Sequence, residues 1–180
     1  MPDFLPLPEE VLEICSTLEA PPRLVAHLTL VHDVACKLVD GIQASFPTVE
    51  LDREGILFGA ATHDVGKATF TEELAGPGKV HESHGAELLR GLGIPEGRAR
   101  FARSHGNWVS APMEDLIVAL ADNCWKGKRV DELESLVVSQ VAFATGKQKW
   151  EVFSVLDEII GKIASEADAR LAWQAQFPAI

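Results

Sequence analysis

Asp52-Arg53-Glu54-Gly55-Ile56-Leu57-Phe58-Gly59-Ala60-Ala61-Thr62-His63-Asp64-Val65-Gly66-Lys67 is the stretch on which the reading of this chain turns. Asp52, Arg53 and Glu54 open a helix, and an apolar run carries it to His63-Asp64. A histidine and an aspartate side by side, where a helix ends and its backbone turns, can both reach one divalent cation. Gly66 offers the conformational freedom for that turn. Lys67 then sets a positive charge within reach of whatever the cation holds. These are the parts of a centre that activates water against a phosphate.

Outward from this stretch the periodicity is helical, with no convincing strand alternation. Pro8-Glu9-Glu10 opens a short first helix. Pro21-Pro22 opens a long one, with Leu24, Leu28, Val31, Val34, Ala35, Leu38 and Val39 at helical spacing. Gly76-Pro77-Gly78 reads as a loop leading into a helix from His81 to Leu92, stopped by Gly91 and Gly93. Pro95-Glu96 starts a helix that ends near His105-Gly106, and Pro112 one that runs to Cys124 and closes at Gly127. Asp131 to Thr145 and Lys149 to about Gln174 supply two C-terminal helices. There are no repeats, low-complexity tracts or linkers. The expectation is one all-α domain over residues 1–180, with its core at about 20–130 and added helices at about 131–176.

The chain has 180 residues, 47% hydrophobic and 24% charged, enough for a full hydrophobic core. No apolar stretch approaches the roughly 20 residues that span a bilayer. Met1-Pro2-Asp3-Phe4-Leu5-Pro6 lacks the basic start of a secretory signal, so a cytoplasmic location and no membrane partner are expected. Cys15, Cys36 and Cys124 are odd in number and far apart, without the CxxC spacing of a zinc knuckle; each reads as a small core residue. The formal charge of -11 repels duplex nucleic acid. A small anion remains compatible, because a metal and a few basic side chains can dominate one pocket.

Six histidines are present: His27, His32, His63, His81, His84 and His105. His27 lies on the inward face of the long helix, with Leu24, Val31 and Val34 as neighbours. Taken alone it reads as a core histidine bonded to a carbonyl. Asp122 follows the small and apolar run Leu116 to Ala121. It is costly there unless paired or bound to a cation, and the alternative is a helix-end aspartate reaching solvent or an arginine. His32-Asp33 is also a His-Asp pair. It lies inside a helix without the Gly-x-Lys tail, and His32 is rotated away from His27, which points to a structural or surface role.

Together His27, the His63-Asp64 doublet and Asp122 stand in the order and rough spacing of the HD superfamily of metal-dependent phosphohydrolases. Ala61-Thr62-His63-Asp64-Val65-Gly66-Lys67 resembles the HDxGK core of that family, His27 with Val31 and Ala35 its first-helix motif, and Ala121-Asp122-Asn123 its final aspartate motif. The resemblance covers about residues 20 to 130 and implies an HD-domain helical bundle. His81-Glu82-Ser83-His84-Gly85-Ala86-Glu87-Leu88-Leu89 resembles the HxxxGAxxL segment of the branches that bind two metals, with His81 the ligand. His105 falls where those branches place their other histidine. The resemblance thus implies His27, His63, Asp64, His81, His105 and Asp122 as ligands, with Asp64 bridging if two ions bind. Imidazole with carboxylate suits one or two ions of Fe, Mn, Zn, Co or Ni better than calcium or magnesium.

Lys67 is the first candidate for a phosphate contact. Arg23, one turn before His27, points toward the same cavity or is a surface arginine near a helix start. Arg129, in the run Lys126-Gly127-Lys128-Arg129, resembles the basic turn after the last aspartate in bacterial HD hydrolases of dinucleoside polyphosphates; a run of charge after a helix is also an ordinary solvated end. His84, one turn from His81, is a further candidate for substrate contact. Trp108 and Trp125 could stack a base, though packing is the commoner role.

The expected function is hydrolysis of a phosphate ester or anhydride in a nucleotide-like small molecule by metal-activated water. Lys67, Asp64 and Arg23 are the candidate catalytic residues, and a homodimer is a possible assembly. Two other readings share the ligand set. One is a di-iron HD-type oxygenase acting on a phosphonate or polyol. The other is a non-catalytic nucleotide-binding module, against which the intact ligand set argues. His105-Gly106-Asn107-Trp108 lacks the GYP signature of the cyclic-di-GMP branch, which argues against that substrate.

Overall fold

The computed structural model describes residues 4–178, so the reading of Met1 to Asp3 lies outside the described residues. Among these the chain is all α, without strands. In order the helices are α1 (Glu9–Thr17), α2 (Pro22–Ser45), α3 (Arg53–Thr62), α4 (Val80–Gly91), α5 (Glu96–Ala99), α6 (Phe101–Ser104), α7 (Met113–Cys124), α8 (Asp131–Thr145), α9 (Lys149–Ser165) and α10 (Ala167–Gln174). Two 3-10 turns, Val65–Ala68 and Thr71–Leu74, connect α3 to α4. No helix among the described residues is long and apolar enough to cross a membrane.

α3 is the buried centre. Asp52 caps its start by accepting from the backbone N–H of Gly55 at 2.9 Å. Beyond the first turn nearly every residue of α3 is buried, as expected of a helix apolar all round. Ile56 and Ala60 join a large apolar cluster built on α2, α7, α8 and α9. Phe58 and Ala61 join a second one with α1, the first turns of α2, α4 and α5. The end of α3, which carries His63 and Asp64, is therefore sunk between two apolar masses.

Gly66 acts through proximity rather than turn geometry. The glycines with positive φ are Gly93, Gly127 and Gly146, each just past a helix end, and Gly66 is not among them. A methyl group on Gly66 would overlap the carbonyl oxygen of His81. Its missing side chain lets the 65–68 turn press onto α4 and bring His81 toward Asp64.

Two helices expected whole are divided. The segment from Pro95 to His105 falls into α5 and α6, joined at Arg100, whose backbone stays helical. The segment from Lys149 to Gln174 breaks at Glu166 into α9 and α10. Arg170 explains the second break. It is fully buried and donates to the carbonyls of Ile163 at 2.7 Å and Trp125 at 3.1 Å, and to the Glu166 carboxylate at 2.9 Å. Those carbonyls belong to the C-terminal ends of α9 and α7, where carbonyls run short of N–H donors from their own helix; that of Ile163 accepts from the Glu166 N–H as well, at 3.2 Å. Only a chain that turns at Glu166 delivers a guanidinium to both. Glu166 also accepts from Lys37 of α2 at 3.1 Å.

On α9, Val152, Leu156, Ile160 and Ile163 face the core. Trp150 and Phe153 of α9 stay exposed, as does Phe143 of α8. His32 and Asp33 are structural: both are buried, and Asp33 accepts from the backbone N–H of Leu5 at 3.1 Å.

Arg170→Met is expected to lower stability by about 2 kcal/mol, because it leaves the Trp125 carbonyl without its donor and takes one donor from the Ile163 carbonyl and the Glu166 carboxylate. Urea denaturation measures this; an unchanged midpoint would contradict the capping role.

Candidate metal centre

Four segments converge on the end of α3. The inward face of α2 brings His27, α7 brings Asp122, the first turn of α4 brings His81, and the residue after α6 brings His105. His63 is fully buried, and Asp64, His81 and His105 nearly so. Asp122 opens toward solvent, with its side chain 26% exposed.

The donor atoms face one another. His27 Nε2 lies 3.2 Å from His63 Nε2 and 3.2 Å from Asp64 Oδ2. Asp122 Oδ1 stands 3.4 Å from Nε2 of both histidines, and His63 Nε2 lies 3.5 Å from Asp64 Oδ2. On the other side of the carboxylate, Asp64 Oδ1 lies 3.0 Å from His81 Nε2 and 3.4 Å from His105 Nε2. Each oxygen of Asp64 thus faces a different pair of imidazoles.

The hydrogen bonds behind the rings decide what these contacts are. His63 Nδ1–H donates to the carbonyl of Ala60 at 2.9 Å, and His105 Nδ1–H to that of Ala102 at 3.0 Å. His81 Nδ1–H donates to the Glu73 carboxylate. A carbonyl or an ionised carboxylate only accepts, so each of these rings carries its proton on Nδ1 when neutral. Nε2 then presents a lone pair to Asp64, which also offers lone pairs. His81 Nε2 is buried and makes no hydrogen bond, although Asp64 Oδ1 is only 3.0 Å away. Buried lone pairs aimed at one another require positive charge among them.

In the metal-free chain, protons and Lys67 answer that need. Burial alone would raise the carboxyls of Asp64 and Asp122. The surrounding imidazoles outweigh it and hold both well below the usual carboxylate range. Burial opposes charging of His27 and His105, yet their carboxylate neighbours lift both. His63 is pushed down, mainly by burial. Lys67 Nζ donates to Asp64 Oδ2 at 2.6 Å.

The residues fit a divalent transition ion. Donors about 2.1 Å from an ion stand about 3.0 Å apart in an octahedron and about 3.4 Å apart in a tetrahedron. The contacts of His27 and His63 with each other, with Asp64 and with Asp122 run from 3.2 to 3.5 Å. His27, His63 and Asp64 offer one trio of ligand atoms within 4.8 Å of one another, and Asp64, His81 and His105 a second.

A cavity of about 260 Å³ opens on the first of these trios. His27, Asp64 and Asp122 form its floor, Arg23, Lys67 and Lys126 supply positive charge, and Leu74, Trp125 and Gln174 complete the wall. A larger groove of about 580 Å³ beside α1 and α10 is apolar and holds none of the candidate ligands.

Two expected substrate contacts lie elsewhere. Arg129 is turned away and held by Glu134 at 2.8 and 2.6 Å and by Asp157 at 2.8 Å, so its charge is already satisfied by carboxylates. Lys126, three residues earlier, is the member of that basic run on the cavity. His84 is half-exposed against Phe70 and lies 3.2 Å from Thr69 Oγ1, off the cavity wall. Trp108 packs against the large cluster instead of the site, whereas Trp125 meets the edge of His27 at 5.3 Å. Glu73 and Gln174 were not expected. Neither sits in a periodic pattern, because Glu73 lies on a 3-10 turn and Gln174 depends on the fold-back at Glu166.

An all-α bundle with buried imidazoles and carboxylates converging at a helix end defines a candidate metal centre of the His-Asp type. The chain belongs to the HD domain family: the family model matches residues 24–125, more than half of its length and spanning His27 to Asp122. No solved structure matches the chain.

Because Arg129 serves the fold, Arg129→Ala is expected to cost about 1 kcal/mol, modest because its guanidinium is partly in water. Hydrogen bonding from Arg129 depresses the Glu134 carboxyl. That stabilisation is present above the unfolded glutamate value of about 4.3 and disappears as pH falls through the lower folded value. The stability gap between Arg129→Ala and the parent should therefore close on acidification. A gap independent of pH would contradict the assignment.

Proposed function

We propose that the chain is a metal-dependent phosphohydrolase of the two-ion kind, cleaving a phosphate ester or anhydride of a nucleotide-like small molecule. His27, His63, Asp64 and Asp122 would hold one ion, and Asp64, His81 and His105 the other. Iron, manganese, zinc, cobalt or nickel suits this nitrogen and oxygen set. The observation that carries the reading is the divided carboxylate of Asp64, whose two oxygens face separate imidazole pairs beneath a cationic cavity. Bound divalent ions supply Lewis-acid charge and make water acidic enough to act as a nucleophile near neutral pH.

The remaining residues suit a phosphorylated ligand. Lys67, Arg23 and Lys126 bring three cations to one small opening on a chain of net charge -11. Their placement offsets negative charge that builds on phosphoryl oxygens as the bond to the leaving group breaks. Arg23 Nε and Trp125 Nε1 are donors without protein partners. Trp125 and Leu74 give the wall an apolar part that limits water and strengthens these interactions. Asp64 keeps Lys67 beside the ligand atoms through their 2.6 Å contact. The similarity of the basic run after Asp122 to that of dinucleoside polyphosphate hydrolases, together with Lys126 on the cavity, favours a substrate with more than one phosphate.

The test is turnover by purified, manganese-loaded protein on mononucleotides, dinucleoside polyphosphates and generic phosphoesters, with oxygen uptake followed in parallel on a phosphonate. Hydrolysis to nucleotide, nucleoside or phosphate products without oxygen uptake is expected, and oxygen consumption would reverse the assignment to an oxygenase. His63→Ala should lose both metal and turnover; full turnover in a metal-free His63→Ala protein would end the proposal. Lys67→Met should keep its metal and lose about 10²–10³-fold in kcat. An unchanged kcat would remove Lys67 from the reaction.

A further inference from the structure

Glu73 has no place in the sequence pattern, yet it is the most heavily engaged residue behind the second trio of ligands. It lies in the 71–74 turn, is buried, and reaches over the start of α4. Its Oε1 accepts from the backbone N–H of Val80 at 3.3 Å, and its Oε2 from that of His81, also at 3.3 Å. The same Oε2 accepts from His81 Nδ1–H. Gly78 makes room for this, since a methyl group there would overlap the Glu73 carboxylate. One side chain therefore caps the N-terminus of α4, where negative charge is favoured, and fixes the ring of its second residue.

The two trios are unequally supported. His63 and His105 rest on backbone carbonyls of their own helices, which persist as long as those helices do. His81 alone among these three depends on a charged side chain from another segment. A carboxylate behind an imidazole holds its orientation, excludes the wrong tautomer and makes the opposite nitrogen a better ligand.

We propose that Glu73 is the positioning residue for the second ion, controlling its retention through His81 while leaving the first ion untouched. This rests on the two-ion reading of the site. It makes the pair of ions separable: one is held by a scaffold of helix backbone and α7, the other by a turn that must be folded before His81 is aimed. Occupancy of the second position then depends on the 71–74 turn.

Cobalt binding to the full chain tests this, read by equilibrium dialysis and by the visible spectrum. The parent should hold two ions. Glu73→Ala should weaken one by about 10–100-fold, the range seen when a carboxylate behind a ligand histidine is removed, and change the other less than about threefold. Glu73→Gln keeps an acceptor oxygen for the helix start and the ring, so it should fold as the parent does and show an intermediate loss. Imidazole nitrogen NMR of metal-free protein gives a second readout: His81 should be held in the Nδ1–H form in the parent and become mixed in Glu73→Ala. Two ions bound as tightly in Glu73→Ala as in the parent, or both weakened alike, would overturn the role of Glu73 alone. A parent that holds a single ion would overturn the two-ion reading and this inference with it.

Discussion

The carboxylate of Asp64 is the constraint that the rest of the structure answers. It is buried at the end of an almost wholly buried helix, with four imidazole nitrogens within 3.5 Å of its two oxygens. Three of those nitrogens present lone pairs, because hydrogen bonds behind the rings hold their protons on the far side. Such a cluster is stable only with added positive charge, and its spacing matches the edges of a metal coordination shell.

Each part of the fold has a task in building that cluster. Two apolar masses clamp α3 so that its C-terminal end is fixed in depth. The 65–68 turn approaches α4 closely because Gly66 has no side chain, which carries His81 to the carboxylate. Arg170 ties the ends of α7 and α9 together from within α10, and the residue after Trp173 reaches the cavity wall. The last helix therefore does more than cover a core: its Gln174 completes the wall of the cavity above the ligand cluster.

How much of this is readable in the sequence varies with the range of the interaction. The helix starts at Pro8, Pro22, Asp52, Pro112 and Asp131 are local signals and appear in the structure within a residue or two. His27, His63, Asp64, His81, His105 and Asp122 were legible as a set through the resemblance to the HD family, and the structure gathers all six. Gly66 was legible as a special position but for another reason, since close approach depends on a partner helix and not on backbone conformation. The break at Glu166 was invisible, because its cause is a buried arginine satisfying carbonyls at two distant helix ends. Arg129 and Lys126 differ by three positions, and composition does not tell which one faces a cavity and which one folds back onto Glu134. Glu73 belongs to the same class, a contact made by a turn with no periodicity.

The most direct measurement is anomalous diffraction from crystals of manganese-loaded protein, collected at the metal edge. Two peaks are predicted, one on each side of the Asp64 carboxylate, the first within bonding distance of His27, His63 and Asp122 and the second within bonding distance of His81 and His105. An absence of anomalous density around Asp64 in fully loaded protein, with Lys67 still bonded to that carboxylate, would contradict the account.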